Sequence, residues 1–217
     1  MTLSRTKPSS TYHFFFEVDK KFGIEVSNLS KKIFEKYHSK FIIGENYVPH
    51  FTLYLFSAPI RNTKQIIEEV RKISEKITHE ITLTSDIMEL SNDGWLMIGV
   101  KEKASLSRFH SEALNHINQL REGFLRKKYR QQSYVDSLPE AEKSSLLRYG
   151  DKHAMKLFHP HVSLAEFTDL DKAKIVFTRY KDFFLDHKVT LTSLELVREY
   201  NEGTGGIGKI LFKKNLN

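Results

Sequence analysis

The chain of 217 residues contains no cysteine, so no disulfide framework supports the fold. It also lacks any run of 18 apolar residues, which a membrane-spanning helix would require. Residues 1–8 lack the apolar core of a signal peptide, and no tandem repeat of about 20 to 50 residues is visible. These absences favour a globular protein, and we expect a cytoplasmic location.

The charge of the chain is positive: 34 Lys and Arg residues stand against 27 Asp and Glu residues, a net charge of +7. A positive net charge raises the local concentration of anionic ligands such as RNA. The basic residues are spread along the sequence, apart from short concentrations such as residues 126–130. The charge therefore favours a nucleic-acid substrate over a neutral small molecule, and no membrane partner is expected.

Two pentapeptides of the sequence are near copies of each other. Residues 49–53 read Pro-His-Phe-Thr-Leu, and residues 160–164 read Pro-His-Val-Ser-Leu. Each copy continues into a short run that is typical of a strand. His161 follows His50 by 111 positions (161 minus 50), about half of the chain, so the repeat predicts two similar lobes that face each other.

The side chains of each copy fall on predictable faces, because alternate residues of a strand point the same way. His50, Thr52 and Tyr54 are predicted to share one face, and His161 and Ser163 share a face of the second strand. Each strand would present an imidazole beside a hydroxyl, a pair that suits a phosphate group. A pKa near ~6.5 lets one histidine act as a neutral base and the other as a protonated acid.

Strands and helices alternate along the chain, which predicts an α+β fold. We expect residues 1–217 to form one bilobal domain. Its two pseudo-symmetric lobes would each be an antiparallel sheet with helices on the outer side, around a central cleft that holds both motifs. Apolar spacing predicts helices at 25–40, 63–77, 105–129 and 170–186 and strands at 12–18, 50–56, 80–89, 94–100, 161–167, 189–200 and 208–213.

Two polar segments interrupt this pattern. Residues 131–152 contain Pro139 and a charged run, so we interpret them as an insertion that forms a surface loop or a short helix. The insertion directly precedes the second motif and could lie over the cleft as a lid or hang off its side. The glycine-rich link at 202–208 is predicted to be a hairpin loop, because it leads into a strand and not into a helix.

The doubled His-x-Thr/Ser pattern resembles the two-histidine (2H) phosphoesterase superfamily, which includes RNA 2′,3′-cyclic phosphodiesterases, also called 2′-5′ RNA ligases. Residues 156–164 read Lys-Leu-Phe-His-Pro-His-Val-Ser-Leu and look like that family's basic-x-Phe-x-Pro-His-hydrophobic-Thr/Ser-Leu segment. Two copies at roughly the family's separation are a fairly specific signal. The order of elements also fits along most of the chain.

The resemblance implies a metal-independent phosphodiesterase that opens RNA-type 2′,3′-cyclic phosphates or acts on 2′-5′ linkages, without a cofactor. His50 and His161 would be the catalytic pair, one deprotonating water and the other protonating the departing ribose oxygen. Thr52 and Ser163 would donate hydrogen bonds to the phosphate oxygens as charge builds in the transition state. The product would be a 2′-phosphate, and the same site could run the reverse ligation. Which histidine is the base is left open by the sequence.

Three further residues are candidates for substrate binding. Lys156 stands where the family often has Arg and would meet phosphate as a point charge. Tyr54 could stack on a base or pack in the core, and His159 shares the face of His161 at the rim of the cleft. His13 is expected in the core. No metal site is expected, since His159-x-His161 has no evident third ligand.

Two other functions are compatible with the sequence. One is a phosphodiesterase for a small nucleotide, such as ADP-ribose cyclic phosphate or a 2′-5′ oligoadenylate. The other is an RNA-binding module that has lost turnover, although retention of both imidazoles and both hydroxyls counts against it. We expect a monomer.

Overall fold

Seven strands and six helices make up the described part of the chain, residues 8–45, 47–200 and 207–216 of a computed structural model. The strands are β1 (Ser9–Val18), β2 (His50–Pro59), β3 (Ile81–Leu90), β4 (Trp95–Val100), β5 (His161–Glu166), β6 (Lys188–Glu199) and β7 (Gly208–Asn215). The helices are α1 (Lys20–Tyr37), α2 (Thr63–Glu75), α3 (Lys103–Ile117), α4 (Gln132–Asp136), α5 (Glu140–Tyr149) and α6 (Leu170–Tyr180). The predicted α+β class is confirmed.

The strands pair in the order β2-β1-β6-β3-β4-β5, all antiparallel, and β7 pairs with β6. The strand β3 joins two portions of this network: Ile81–Thr84 pair with β6, and the part from Ser85 to Leu90 pairs with β4. The motif strands β2 and β5 lie at opposite ends of the order, yet they contact each other. The fold therefore brings the two histidine motifs together, while the division into two pseudo-symmetric lobes stays a prediction.

Helices cover the strands on the side that carries the large apolar residues. The helix α1 packs on β5, α3 on β2, α6 on β3 and β4, and α2 on β6 and β7. Phe16 of β1 meets Phe109 of α3 edge to face, with 5.4 Å between the ring centroids. Burying an aromatic side chain of this size contributes about 1.5–3 kcal/mol, so such contacts hold the motif strands in place.

The helix α1 begins earlier than its apolar spacing predicts, because Asp19 caps it. The Asp19 carboxylate accepts hydrogen bonds from the amides of Phe22 and Thr190, each at 2.9 Å. A capping carboxylate satisfies an amide that the first helical turn leaves without a partner. The same side chain thereby ties the start of α1 to β6.

The helix predicted at 105–129 is shorter than expected. The helix α3 ends at Ile117, and a 3₁₀ turn at Asn118–Arg121 follows. Glu122 and Gly123 then adopt left-handed backbone angles, with φ of 52° and 75°. A left-handed residue ends a helix, so the apolar positions beyond Ile117 belong to other structures.

The polar segment 131–152 contains two short helices, α4 and α5. The sequence predicted either a surface loop or a short helix there, and the helical alternative is the one observed. Tyr129, Val135 and Leu146 form a small apolar core of their own between them. The segment is therefore packed, although its status as an insertion stays a prediction. The glycine-rich link falls largely outside the described residues. Within the described ranges, none of the helices is long and apolar enough to cross a bilayer.

Candidate active site

A β-bulge directly follows the hydroxyl residue of the first motif. In β2, Thr52 pairs with Phe15 of β1, whereas Tyr54 pairs with Phe14, so Leu53 is an extra residue in its strand. A bulge of this kind bends the strand and re-aims the side chains beside it. His50 and Thr52 therefore stay on one face, and the residues beyond Leu53 change sides.

The same irregularity recurs in the second motif. In β5, Ser163 pairs with Met97 of β4 and Ala165 pairs with Leu96, which leaves Leu164 as the extra residue. The leucine that ends each pentapeptide is thus the bulged position in both strands. The two motifs are equivalent in backbone structure as well as in sequence.

The bulge corrects the prediction for Tyr54, which does not share the face of His50. Its side chain lies on the face of Phe14, is fully buried, and stacks on Phe56 with 4.5 Å between the ring centroids. The Tyr54 hydroxyl donates to the Tyr149 carbonyl at 2.5 Å. Tyr54 is therefore a core residue, the alternative that the sequence left open for it.

Both catalytic candidates hold their imidazoles in the same way. The Nδ1 atom of His50 lies 2.5 Å from the Val48 carbonyl oxygen, and Nδ1 of His161 lies 2.7 Å from the His159 carbonyl oxygen. In each case the acceptor precedes the histidine by two residues. A carbonyl can only accept, so Nδ1 carries the proton and Nε2 is left for chemistry.

Burial lowers the pKa of both histidines, to about 3 for His50 and about 4 for His161. A positive charge on His13 or on His161 also opposes protonation of His50 and so lowers its pKa. For His161, the His159 carbonyl opposes the decrease, while the charges of His159 and His153 add to it. Both imidazoles are thus neutral near pH 7, which suits a base. A bound anionic phosphate would raise the pKa of the histidine that must act as the acid.

His13 of β1 reaches the site, although the sequence predicted only a core position for it. The side chain is buried as expected, but its Nε2 atom lies 2.8 Å from Thr52 Oγ1. Its ring meets that of His50 edge to face, with 4.6 Å between centroids. Behind it, Glu199 Oε1 lies 3.4 Å from His13 Nδ1. One histidine in an apolar strand carries no spacing signal, and only the register of β1 on β2 reveals its position.

The other predicted binding residues, Lys156 and His159, shortly precede the second motif in the chain. Lys156 is exposed in a short 3₁₀ turn before β5. The His159 ring lies 2.7 Å from Glu89 Oε2 through Nε2 and 3.4 Å from Lys103 Nζ through Nδ1, and its centroid is 6.1 Å from that of His161. A role for Lys156 and His159 in substrate binding stays a prediction. In the described part of the chain, no three His, Asp or Glu side chains are grouped to hold a metal ion.

Comparison with known proteins identifies the family of this chain. The family model of the 2′-5′ RNA ligase superfamily matches residues 34–203, a range that contains both motifs. The crystal structure of E. coli LigT complexed with ATP is similar with a TM-score of 0.58 and 13% identity, over 97% of this chain and 99% of that chain. The LigT complex with 3′-AMP gives a TM-score of 0.57 and 12% identity over the same shares.

A third structure, described as a phosphoesterase, gives a TM-score of 0.52 and 12% identity over 97% of this chain and 99% of that chain. No curated protein matches the sequence. The likeness to solved structures shows the fold, and the family match covers well over half of the chain. As the doubled motif predicted, this chain belongs to the 2′-5′ RNA ligase superfamily of 2H phosphoesterases.

Proposed function

We propose that the protein is a metal-independent phosphodiesterase that opens RNA-type 2′,3′-cyclic phosphates or acts on 2′-5′ linkages. The observation that carries this proposal is the matched pair of imidazoles. Both His50 and His161 bind a carbonyl through Nδ1, and both present Nε2 beside a hydroxyl residue on the same strand face. Acid–base catalysis needs one group to take a proton and another to give one.

The reaction balances with these groups alone. One imidazole takes a proton from water as the water oxygen attacks phosphorus. The bond between phosphorus and the ribose 3′ oxygen breaks, and the other imidazole, protonated, gives its proton to that oxygen. The product is a 2′-phosphate. When a 5′-hydroxyl takes the place of water, its oxygen attacks phosphorus, the same bond to the ribose 3′ oxygen breaks, and a 2′-5′ linkage forms.

The hydroxyls beside the histidines supply the electrostatic part of catalysis in this proposal. Within the described residues, the Ser163 hydroxyl makes no hydrogen bond to another protein group, so it is available to the phosphate. Preorganised donors stabilise charge that develops in the transition state, and losing one costs about 100- to 1,000-fold in rate. Lys156 and His159 would contact the rest of the substrate.

The proposed substrate class agrees with the charge of the chain and with what relatives bind. A net charge of +7 favours an anionic substrate. The LigT structures contain ATP and 3′-AMP, which are a nucleotide triphosphate and a nucleotide with a 3′-phosphate. These nucleotides also keep a small-nucleotide phosphodiesterase as the second candidate function. A monomer in the cytoplasm is part of the proposal.

The test is hydrolysis of 2′,3′-cyclic nucleotides in excess EDTA by wild type, His50→Ala and His161→Ala. We expect turnover that survives EDTA, yields a 2′-phosphate and falls by several orders of magnitude in both variants. Folded wild-type protein that turns over only 2′-5′ oligoadenylate or ADP-ribose cyclic phosphate would establish the second candidate. Binding of short RNA without any turnover would establish a non-catalytic module.

A further inference from the structure

Four side chains form a continuous chain of polar contacts behind the first motif. Glu199 Oε1 lies 3.4 Å from His13 Nδ1, His13 Nε2 lies 2.8 Å from Thr52 Oγ1, and Thr52 Oγ1 lies 3.1 Å from His50 Nε2. The side chains of His13 and Glu199 are 2% and 0% exposed, so water does not compete for the contact between them. The outermost link is long for a hydrogen bond and acts as a charge contact.

The four side chains do not carry enough protons to make every contact between them a hydrogen bond. The Val48 carbonyl fixes the proton of neutral His50 on Nδ1, and a carboxylate at Glu199 favours the proton of neutral His13 on Nδ1. Both Nε2 atoms are then bare acceptors, and the single hydroxyl proton of Thr52 can serve only one of them. The contact to His13, at 2.8 Å, is shorter than the contact to His50, at 3.1 Å.

We propose that His13 and Glu199 are positioning residues that draw the Thr52 proton away from His50, so that His50 Nε2 stays open as the general base. The inference rests on the function proposed above and assigns the roles that the sequence left open. His161, which has no such chain behind it in the described residues, becomes the general acid. This assignment replaces the phosphate-binding role that the resemblance implies for Thr52: the Thr52 hydroxyl serves the base, and Ser163 is the hydroxyl that donates to phosphate.

The same chain stabilises His50 after it has taken the proton of water. Its new Nε2–H donates to Thr52 Oγ1, which already donates to His13 Nε2, so every link is then satisfied. The Glu199 carboxylate offsets the positive charge through His13. A buried carboxylate that orients a histidine and stabilises its protonated form plays the same part in serine hydrolases.

The charges that surround His13 are consistent with a neutral acceptor. Burial lowers the pKa of His13, the Glu199 carboxylate opposes the decrease, and the charge of Arg126 adds to it. The titratable neighbours that act on the pKa of His50 are His13 and His161. His13 is thus neutral near pH 7, and Glu199 selects the tautomer with the proton on Nδ1.

The tautomer of His13 provides a test that needs no turnover. In ¹⁵N-labelled wild-type protein at pH 7, long-range ¹H–¹⁵N spectra should show His13 with a proton on Nδ1 and a bare Nε2. The His13→Phe spectrum identifies the signals. A proton on Nε2, in the other neutral tautomer or in the doubly protonated ring, would turn the Thr52 proton toward His50 and overturn the inference. Inactive wild-type protein would count against the proposed function alone.

Steady-state kinetics of Glu199→Gln, His13→Phe and the double variant provide a second test of these contacts. Because each removes a positioning group and not a substrate contact, we expect kcat to fall about ten- to hundredfold with KM within about twofold. Glu199 acts through His13, so Glu199→Gln should cost nothing further in the His13→Phe background. An equal loss in both backgrounds would sink the inference. Glu199→Asp serves if the Gln variant unfolds.

A matched control is available on the surface. His116 and Glu69 form another histidine–carboxylate pair, with 2.7 Å between Nδ1 and Oε2, on α3 and α2. In the described structure the hydrogen bonds and ion pairs of these two residues go to α2 and α3 and not to the motif strands. His116→Phe and Glu69→Gln should therefore leave kcat and KM at wild-type values, which separates the effect of the chain from that of losing any such pair.

Discussion

The hydroxyl of Tyr54 donates a hydrogen bond to the backbone carbonyl of Tyr149, across 95 positions of sequence. This bond ties the strand of the first motif to the last residue of α5. The bond connects the apolar face of β2 with the segment 131–152. The Tyr54 Oη atom also lies 3.3 Å from Asn118 Oδ1. The segment is therefore attached to the motif strand through the face that carries Tyr54.

Replacing Tyr54 with Phe should lower stability without affecting substrate binding. The change removes one hydroxyl and leaves the partly buried Tyr149 carbonyl without that donor, which costs about 1 kcal/mol. Urea unfolding should show this loss, while KM stays within about twofold of wild type because Tyr54 faces the core. Tyr37→Phe is the control, since its hydroxyl makes no hydrogen bond among the described residues. A raised KM with unchanged stability would contradict the core position of Tyr54.

Gly150 should not tolerate a side chain. It ends α5 in the left-handed region at φ 71°, and an added Cβ would lie 2.3 Å from Arg121 Nη1. The Arg121 side chain is buried and donates to the Asn118 side chain and the Phe124 carbonyl, so it has little room to move. Gly150→Ala should therefore lose more stability than the roughly 1–2 kcal/mol of left-handed strain alone.

Gly123 isolates the effect of the steric clash. Its φ of 75° matches that of Gly150, but an added Cβ would meet nothing within 4 Å. Gly123→Ala should thus show the backbone strain by itself in thermal or urea unfolding. If both alanine variants lose the same stability, Arg121 is not packed against Gly150 as the structure has it.

The stability of the protein should decrease as the pH falls from about 6.5 toward 4. The folded pKa values of His50 and His161 are about 3 and about 4, below the value of about 6.5 for an unfolded histidine. Between these values the unfolded chain binds more protons, so acid favours unfolding, and the stability is fully present only above about pH 6.5. Each such group contributes a slope of at most about 1.4 kcal/mol per pH unit.

Urea unfolding of wild type and His161→Gln at several pH values checks this dependence. The variant lacks one of the titrating groups, so its stability should fall less steeply between pH 6.5 and 4. The comparison cancels the contributions of carboxylates and other histidines, which both proteins share. Parallel pH curves would show that His161 is not buried in its neutral form.

The sequence was sufficient to predict the repeated part of the site, the two histidine motifs. Two similar pentapeptides with alternating polar residues predicted the strands, the family and the pairing of imidazole with hydroxyl. It was insufficient where tertiary register decides the outcome. The bulge at Leu53 reversed the predicted face of Tyr54, because no local pattern distinguishes a bulged leucine from one in regular pairing. The left-handed turn at Glu122 likewise shortened a helix that apolar spacing alone extended.

His13 and Glu199 illustrate the same limit for function. They are 186 positions apart, and only the pairing of β1 with both β2 and β6 brings them behind Thr52. Neither residue belongs to a motif, and a histidine or a carboxylate at a strand position is most often structural. Their contact depends on the pairing of three strands. Local sequence patterns do not encode that pairing.

The two bulged pentapeptides are equivalent, so they do not themselves explain why the two histidines would have different roles in the proposed reaction. Both copies fix their imidazole by the same carbonyl bond and place their hydroxyl by the same irregularity, so the pentapeptides act as interchangeable parts. Under the proposed function, whatever makes one histidine a base and the other an acid must then come from residues outside the pentapeptides. A fold with this repeated motif could therefore acquire a direction of proton flow by substitutions on β1 and β6, with both pentapeptides left untouched.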